Sequence, residues 1–204
     1  MIFEVGTMSG NISLYEKIRE DILNRRFDEE EKLTEVKLAK LYGVSRTPIR
    51  EVLKQLEFEY LIKNGHIYKP SPEDYRNLFE MRILIETHAV EKAVLLYGKE
   101  DMNALKQSIE RAKEGPEEET LSANKFFHEK LVEAIRNPFL SETYERLNSV
   151  IYFFSRTVVE KQRPNLIEEH EEVVEAIEER NGEKAKRLIR LHLEKDLEFT
   201  LYYM

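Results

Sequence analysis

Three histidines and one asparagine are spaced in a way that could build a metal site. Asn124 and His128 stand four residues apart, so on a helix they would lie on one face about one turn from each other. His170 and His192 belong to two later segments, where each interrupts an apolar helical stripe. Imidazole is a common ligand of divalent transition metals, and the amide oxygen of Asn124 could add to it. The spacing predicts a three-histidine site inside a helical bundle, although three unrelated, hydrogen-bonded histidines would fit it as well.

A second set of residues could bind nucleic acid. The stretch GVSRTPIREVLKQLE, residues 43–57, has an apolar stripe of helical period with Ser45 as its N-cap. Arg46 and Arg50 then face outward at the start of the helix. An arginine fork can bind guanine O6 and N7 together, while Ser45 and Thr47 can donate to phosphate or base. Two arginines on a wet helix face would also fit an ordinary surface, so the surrounding elements decide between the two interpretations.

The charge distribution favours a nucleic-acid interface near these arginines. The net charge of the chain is −8 at pH 7, but residues 1–70 carry 12 basic and 12 acidic side chains, against 20 and 28 in residues 71–204. Within residues 37–69 there are 7 basic and 3 acidic side chains, and Lys37 is among them. This local excess of positive charge could contact the DNA backbone.

The elements around residues 43–57 predict a winged helix-turn-helix. Residues 13–26 have a helical apolar stripe with Ser13 as the N-cap. Thr34 can cap a second helix, whose buried side is expected to consist of Val36, Leu38, Ala39 and Leu41. After the third helix, two short β-prone runs flank Asn64 and Gly65, which favour a hairpin turn. Asn64, Gly65 and His66 would form the tip of the wing and contact the minor groove or a phosphate.

The rest of the chain has the pattern of an all-helical bundle. Its segments are separated by turn residues and predict about six helices, over residues 74–97, 100–114, 117–136, 138–160, 163–180 and 183–201. The fold class is therefore mainly α. The expected domains are residues 1–70 for DNA binding, 71–75 as a linker, and 76–204 for effector and metal binding and for dimerisation. The chain has no cysteine and no long apolar run, so we expect a cytoplasmic protein that does not contact a membrane.

The sequence GVSRTPIREVLKQLE closely resembles the recognition-helix signature of the GntR family of bacterial repressors, G-V-S-R-T-P-V-R-E-A-L-x-x-L. Upstream, LTEVKLAKLYGVS resembles the second helix of the same family, and the resemblance spans about residues 12–70. The family usually has glycine near Arg26, Pro-Gly near Glu30 and Glu31, and glycine where Tyr60 stands. These departures concern the conformation of turns rather than the residues that would read DNA.

The second part resembles the FadR-like subfamily, whose ligand domain is the helical FCD domain. The matching segments are MRILIETHAVEKAV, NKFFH, AIRNPFL, EEHEEVVEAIEERN and AKRLIRLHLEKDL. Metal-binding members of this class use Asp-x-x-x-His and two later histidines at these places, so the resemblance implies Asn124, His128, His170 and His192 as metal ligands. Asn124 replaces the usual aspartate, which would lower the affinity for the metal. The spacing does not distinguish zinc, nickel, manganese or another divalent metal.

The resemblance also implies an effector and a regulatory function. Arg82 matches a family arginine that often binds a small carboxylate, although an ion pair of Arg82 with Glu86 on the surface would also fit. Three imidazoles and an amide leave the charge of the metal uncompensated, which favours a small organic acid as effector. We therefore expect a homodimeric transcriptional regulator, usually a repressor in this family, on a near-palindromic double-stranded operator. The alternative is a metal-dependent hydrolase or hydrase that uses the three histidines.

Overall fold

The computed structural model describes residues 13–28 and 30–204, and these residues fall into two compact units. The first unit runs to Tyr68 and the second spans Lys69–Met204. The mainly α fold expected from the sequence is confirmed. None of the helices in the described ranges is both long and apolar enough to cross a membrane.

The described part of the first unit contains three helices followed by a hairpin, which is the order of a winged helix-turn-helix. Its elements are α1 (Leu14–Leu23), α2 (Glu35–Tyr42), α3 (Arg46–Phe58), β1 (Ile62–Lys63) and β2 (His66–Ile67). The strands are antiparallel, with Ile62 opposite Ile67 and Lys63 opposite His66. Asn64 and Gly65 connect them with φ angles of 55° and 79°, the left-handed conformation that a two-residue type I′ turn requires.

Local capping explains where α1, α2 and α3 begin. The Ser13 side chain accepts from the Glu16 N–H in a capping box, and the Thr34 hydroxyl accepts from the Lys37 N–H. Ser45 occupies the N-cap position of α3 as expected, but its side chain makes no capping hydrogen bond. Gly43 ends α2 with a φ of 67°, which allows the sharp turn into α3.

The buried side of the first unit differs from the expectation in α2. Ile18, Ile49 and Leu56 are fully buried, and Leu38 joins them. Two further side chains that were expected in this core are instead exposed, namely Val36 at 61% and Leu41 at 58%. A helix of only eight residues packs a narrow stripe, so the two flanking apolar positions stay at the surface.

The second unit is a bundle of helices, which are α4 (Pro72–Leu96), α5 (Lys99–Glu114), α6 (Glu117–Glu133), α7 (Pro138–Arg146), α8 (Asn148–Glu160), α9 (Leu166–Glu178) and α10 (Gly182–Tyr202). Helix α10 packs against α4 and α9, while α6 packs against α4, α5 and α8. The segment 138–160 was expected as one helix but is divided at Leu147 into α7 and α8. Residues 71–75, expected as a linker, lie mostly in α4, because Ser71 and Asp74 form a capping box and Pro72 suits the first helical position.

At two places in the first unit, this sequence has another residue where the GntR family usually has glycine. Arg25 and Tyr60 both have a positive φ, of 54° and 57°. Residues other than glycine pay about 1 kcal/mol or more for this conformation. Both turns therefore have the backbone conformation that glycine adopts most easily, although an arginine and a tyrosine occupy them here.

Candidate nucleic-acid interface and candidate metal centre

The start of α3 presents two arginines whose positions are fixed by one carboxylate. Arg46 and Arg50 are 61% and 52% exposed, so both face outward as the sequence predicted. Glu35, the first residue of α2, accepts from Arg46 Nε at 3.2 Å and from Arg50 Nε at 2.7 Å. The Nη2 atoms of both arginines also donate to Glu35 Oε2, each at 3.0 Å.

This shared carboxylate aligns the two guanidinium groups side by side. The hydrogen bond from Arg50, and then that from Arg46, lower the pKa of Glu35 to about 2, even though partial desolvation opposes them. Glu35 is therefore ionised at neutral pH. Sequence reasoning missed Glu35, although its position at the start of the preceding helix was a usable signal.

The other residues expected to contact DNA differ in whether their side chains already take part in contacts within the protein. Ser45 and Thr47 are exposed beside Arg46, and Asn64 and His66 are exposed on the hairpin. The Gly65 carbonyl accepts from the Leu33 N–H at 2.8 Å, which ties the hairpin turn to the segment before α2. Lys37 forms an ion pair with Glu31 and lies 5.6 Å from the centre of the Phe27 ring, so its ammonium group is already engaged.

In the second unit, three buried histidines from three helices converge. His128 on α6, His170 on α9 and His192 on α10 are each at most 2% exposed. One ring nitrogen from each lies within 4.8 Å of the other two. The Nε2 atoms of His170 and His192 are 3.2 Å apart. The sequence-based prediction that these residues share one site is matched by this arrangement, and the group could hold a metal ion.

Two carboxylates orient two of these rings. His128 Nδ1 donates to Glu86 Oε2 at 2.6 Å, and a carboxylate only accepts, so the proton of His128 is on Nδ1 and its Nε2 keeps a lone pair. His192 Nδ1 lies 2.9 Å from Glu169 Oε2 and 3.2 Å from Arg163 Nη2. Phe127 stacks on His170 with ring centres 3.8 Å apart and so fixes the third ring. All three rings are thus held in place by their neighbours.

Burial favours the neutral form of His128 and His170, which is the form that binds metals. Desolvation lowers the pKa of His128, although Glu86 opposes this effect. The pKa of His170 falls well below its usual value, first because of burial and then because of the neighbouring imidazoles.

Glu86 lies at the centre of a buried polar network. Its Oε1 accepts from Arg82 Nε at 2.9 Å and from the Tyr144 hydroxyl at 3.0 Å. Burial alone would raise the pKa of Glu86, but Arg82 and His128 outweigh it and lower the pKa to about 2. The pair of Arg82 and Glu86 was considered as a surface pair, whereas both side chains are fully buried.

A second buried arginine, Arg163, joins α9 to α10. Its Nε donates to Asp196 Oδ1 at 2.5 Å, and its Nη2 donates to Glu169. Lys195, which lies at the surface, donates from Nζ to Glu169 Oε1 at 2.7 Å. Sequence reasoning missed Arg163, Tyr144 and Asp196, but the spacing of four residues between His192 and Asp196 was a signal that could have found the aspartate.

Several buried polar atoms near the histidines have no hydrogen-bond partner within the protein. Among the described residues, these atoms include His128 Nε2, both amide atoms of Asn124, and Asp196 Oδ2. Asn124 lies on α6 one turn before His128 and is 1% exposed. An unsatisfied buried polar atom costs roughly 1–3 kcal/mol. The donor set of imidazole nitrogens and oxygens fits a transition metal, which would satisfy these atoms.

Comparison with known proteins agrees with both units. Residues 12–64 match the family of bacterial regulatory proteins called the gntR family, and residues 77–195 match the FCD domain. The transcriptional regulator YdhC of Bacillus subtilis is 30% identical over 199 residues, which are 92% of this chain and 89% of that protein. The Uxu operon regulator of Haemophilus influenzae is 30% identical over 203 residues, which are 87% of this chain and 76% of that protein.

Solved structures show the same fold at lower identity. A GntR transcriptional regulator from Rhodococcus sp. RHA1 superposes with a TM-score of 0.78 at 19% identity, over 94% of this chain and 97% of that one. Escherichia coli McbR/YncC superposes with a TM-score of 0.75 at 18% identity, over 95% of this chain and 99% of that one. The relatives are transcriptional regulators rather than enzymes. The chain therefore belongs to the GntR family of bacterial regulatory proteins, in the FadR-like subfamily with an FCD domain, and is a DNA-binding transcriptional regulator.

Proposed function

We propose that this protein is a repressor that binds a near-palindromic operator as a homodimer in the bacterial cytoplasm. A small organic acid, bound at a metal centre in the second unit, would control its affinity for DNA. The convergence of three buried imidazoles, two of them within hydrogen-bond distance of buried carboxylates, is the observation that carries the regulatory part of this proposal.

Arg46 and Arg50 read the operator in this account. In a helix-turn-helix, the N-terminal residues of the second helix meet base edges in the major groove. Glu35 holds the two guanidinium groups before DNA arrives, so less side-chain entropy is lost on binding. Ser45, Thr47 and Lys37 would contact the phosphate backbone, and the hairpin residues Asn64, Gly65 and His66 would contact an adjacent groove or phosphate.

His128, His170 and His192 would hold the metal, with the oxygen of Asn124 near it or bound to a metal-bound water. The ion would supply positive charge and open coordination positions, both of which favour a carboxylate ligand. Arg82 would reinforce this preference from α4, because its buried positive charge lies within the same network. A pocket of about 320 Å³ lies beside Arg163 and Glu169, and Glu169 is in turn next to His192, although none of the three histidines lines the pocket.

We infer a homodimer from the contact surface that operator binding requires. One winged domain buries too little surface for tight specific binding, whereas a two-fold dimer doubles the contacts and fixes the spacing of the half-sites. The effector would change operator affinity by the ratio of its affinities for the two arrangements of the dimer.

Selection from a randomised pool of duplex DNA tests the reading residues. The wild-type protein should enrich one palindromic site, and Arg46→Ala or Arg50→Ala should weaken binding to it by about 5- to 150-fold per half-site, from roughly 1–3 kcal/mol per bidentate contact. Arg187→Ala removes an exposed arginine of the second unit and serves as the control. Arginine variants that still select the same site with unchanged affinity would refute the assignment.

Elemental analysis of the purified protein tests the metal centre. We expect about one divalent ion per chain in the wild type and almost none after His128, His170 and His192 are replaced by alanine. His88→Ala is the matched control, because His88 is 45% exposed on α4. Undiminished metal in the triple variant would exclude these ligands.

A further inference from the structure

Asp196 lies on α10 one turn after His192 and is fully buried. Its Oδ1 accepts from Arg163 Nε at 2.5 Å. Its Oδ2 has no hydrogen-bond partner and lies 3.3 Å from His192 Nε2. His192 Nδ1 lies 2.9 Å from Glu169 Oε2 and 3.2 Å from Arg163 Nη2, so either ring nitrogen of His192 can carry the proton. When the proton is on Nδ1, Nε2 and Asp196 Oδ2 are both metal-ligating atoms, and one ion between them would contact both.

In the two neighbouring carboxylates, Glu86 and Glu169, every oxygen already accepts at least one hydrogen bond. Glu86 uses Oε1 for Arg82 and Tyr144, and Oε2 for His128. Glu169 uses Oε1 for Lys195, and Oε2 for Arg163 and His192. Among these three carboxylates, only Asp196 keeps one oxygen without a hydrogen bond.

The charged side chains around the histidines balance one another. Arg82, Arg163 and Lys195 are positive, whereas Glu86, Glu169 and Asp196 are negative. Asn124 is neutral, so it cannot supply a negative ligand.

We propose that Asp196 is the carboxylate ligand of the metal centre and supplies the charge that Asn124 lacks, with Arg163 as the positioning residue that holds its other oxygen. This inference rests on the proposed metal site. It changes the charge expected there, because three neutral imidazoles and one carboxylate leave a divalent ion with one positive charge rather than two. The effector that fits this centre is a monoanion, such as a monocarboxylate.

The test is calorimetric titration of the metal-free, full-length protein with Zn²⁺, together with visible spectra of the Co²⁺ form. Asp196→Asn retains an oxygen for Arg163 but loses the negative charge, so Zn²⁺ affinity should fall at least 10-fold and the Co²⁺ spectrum should change. Asn124→Asp in the Asp196→Asn background moves the carboxylate to α6 and should restore most of the affinity. Glu194→Gln, which removes an exposed charge from the same helix, should have no effect.

The possible outcomes separate this inference from the proposed metal site. A wild-type protein that binds no Zn²⁺ would refute both. A wild-type protein that binds Zn²⁺ as tightly as Asp196→Asn would refute only the role of Asp196. A loss in Asp196→Asn that Asn124→Asp does not restore would assign Asp196 to holding Arg163 alone, and would also overturn the proposal. Circular dichroism of each metal-free variant checks that it is folded.

Discussion

Replacing Glu86 with glutamine should strongly destabilise the second unit. The substitution keeps the size of the side chain but removes the negative charge that faces Arg82 and His128. Arg82 is fully buried, so it would lose its ion pair with Glu86 in a site from which water is excluded. Removing one partner of a buried ion pair costs about 3–5 kcal/mol.

This loss should be visible as a lower melting temperature. At about 2–4 °C per kcal/mol for a chain of this size, Glu86→Gln should lower the Tm by about 6–20 °C. Circular dichroism at 222 nm on metal-free, full-length protein would follow the transition of the second unit, which contains most of the helical residues.

Glu91→Gln is the matched control for this experiment. It makes the same chemical change on the same helix, but Glu91 and its partner Lys186 are about 40% exposed. Exposed ion pairs contribute about 0–1 kcal/mol, so the control should lower the Tm by less than about 4 °C. Equal, small effects of Glu86→Gln and Glu91→Gln would refute the view that Glu86 compensates the buried arginine.

Two further predictions concern the first unit. Gly43→Ala should cost about 1–2 kcal/mol in urea unfolding, because Gly43 has a φ of 67° and only the backbone opposes a side chain there. Gly43→Asn should cost less, and an alanine variant as stable as the wild type would contradict this reasoning. Glu35→Gln should lower the Tm at pH 7, because the pKa of Glu35 in the folded protein, about 2, lies below its usual value of 4.5. The difference from the wild type should shrink as the pH falls from about 4.5 towards 2, and a difference that stays constant over this range would exclude an ionised Glu35 as its source.

Sequence patterns predicted the helices and the hairpin well because capping and turn residues act locally. Thr34, Gly43, Asn64 and Gly65 each determine the conformation of a few neighbouring residues, so their effects can be read without tertiary structure. The break at Leu147 was missed, because no proline or glycine marks it. The exposure of Val36 was also missed, because the spacing of apolar residues does not show how much of a helix surface the neighbouring elements cover.

The candidate metal centre was only partly predictable for a different reason. His128, His170 and His192 could be identified by residue type and depth, but their hydrogen-bond partners come from other helices. Glu86 is 42 residues from His128, and Arg163 is 33 residues from Asp196. Such pairings depend on how helices pack, which sequence spacing does not encode. The expectation that the charge of the metal is uncompensated was made without Asp196, and the proposed role of this residue would revise it.

The most direct test of the central claim measures operator affinity by fluorescence anisotropy, using the duplex selected from the randomised pool. The wild-type protein is titrated without metal, with Zn²⁺ alone, and with Zn²⁺ and acetate as a monocarboxylate probe. We predict that operator affinity changes at least 5-fold between these conditions, and that it stays constant when His128, His170 and His192 are all alanine. Equal affinity of the wild type under all three conditions would contradict control of DNA binding by the metal centre.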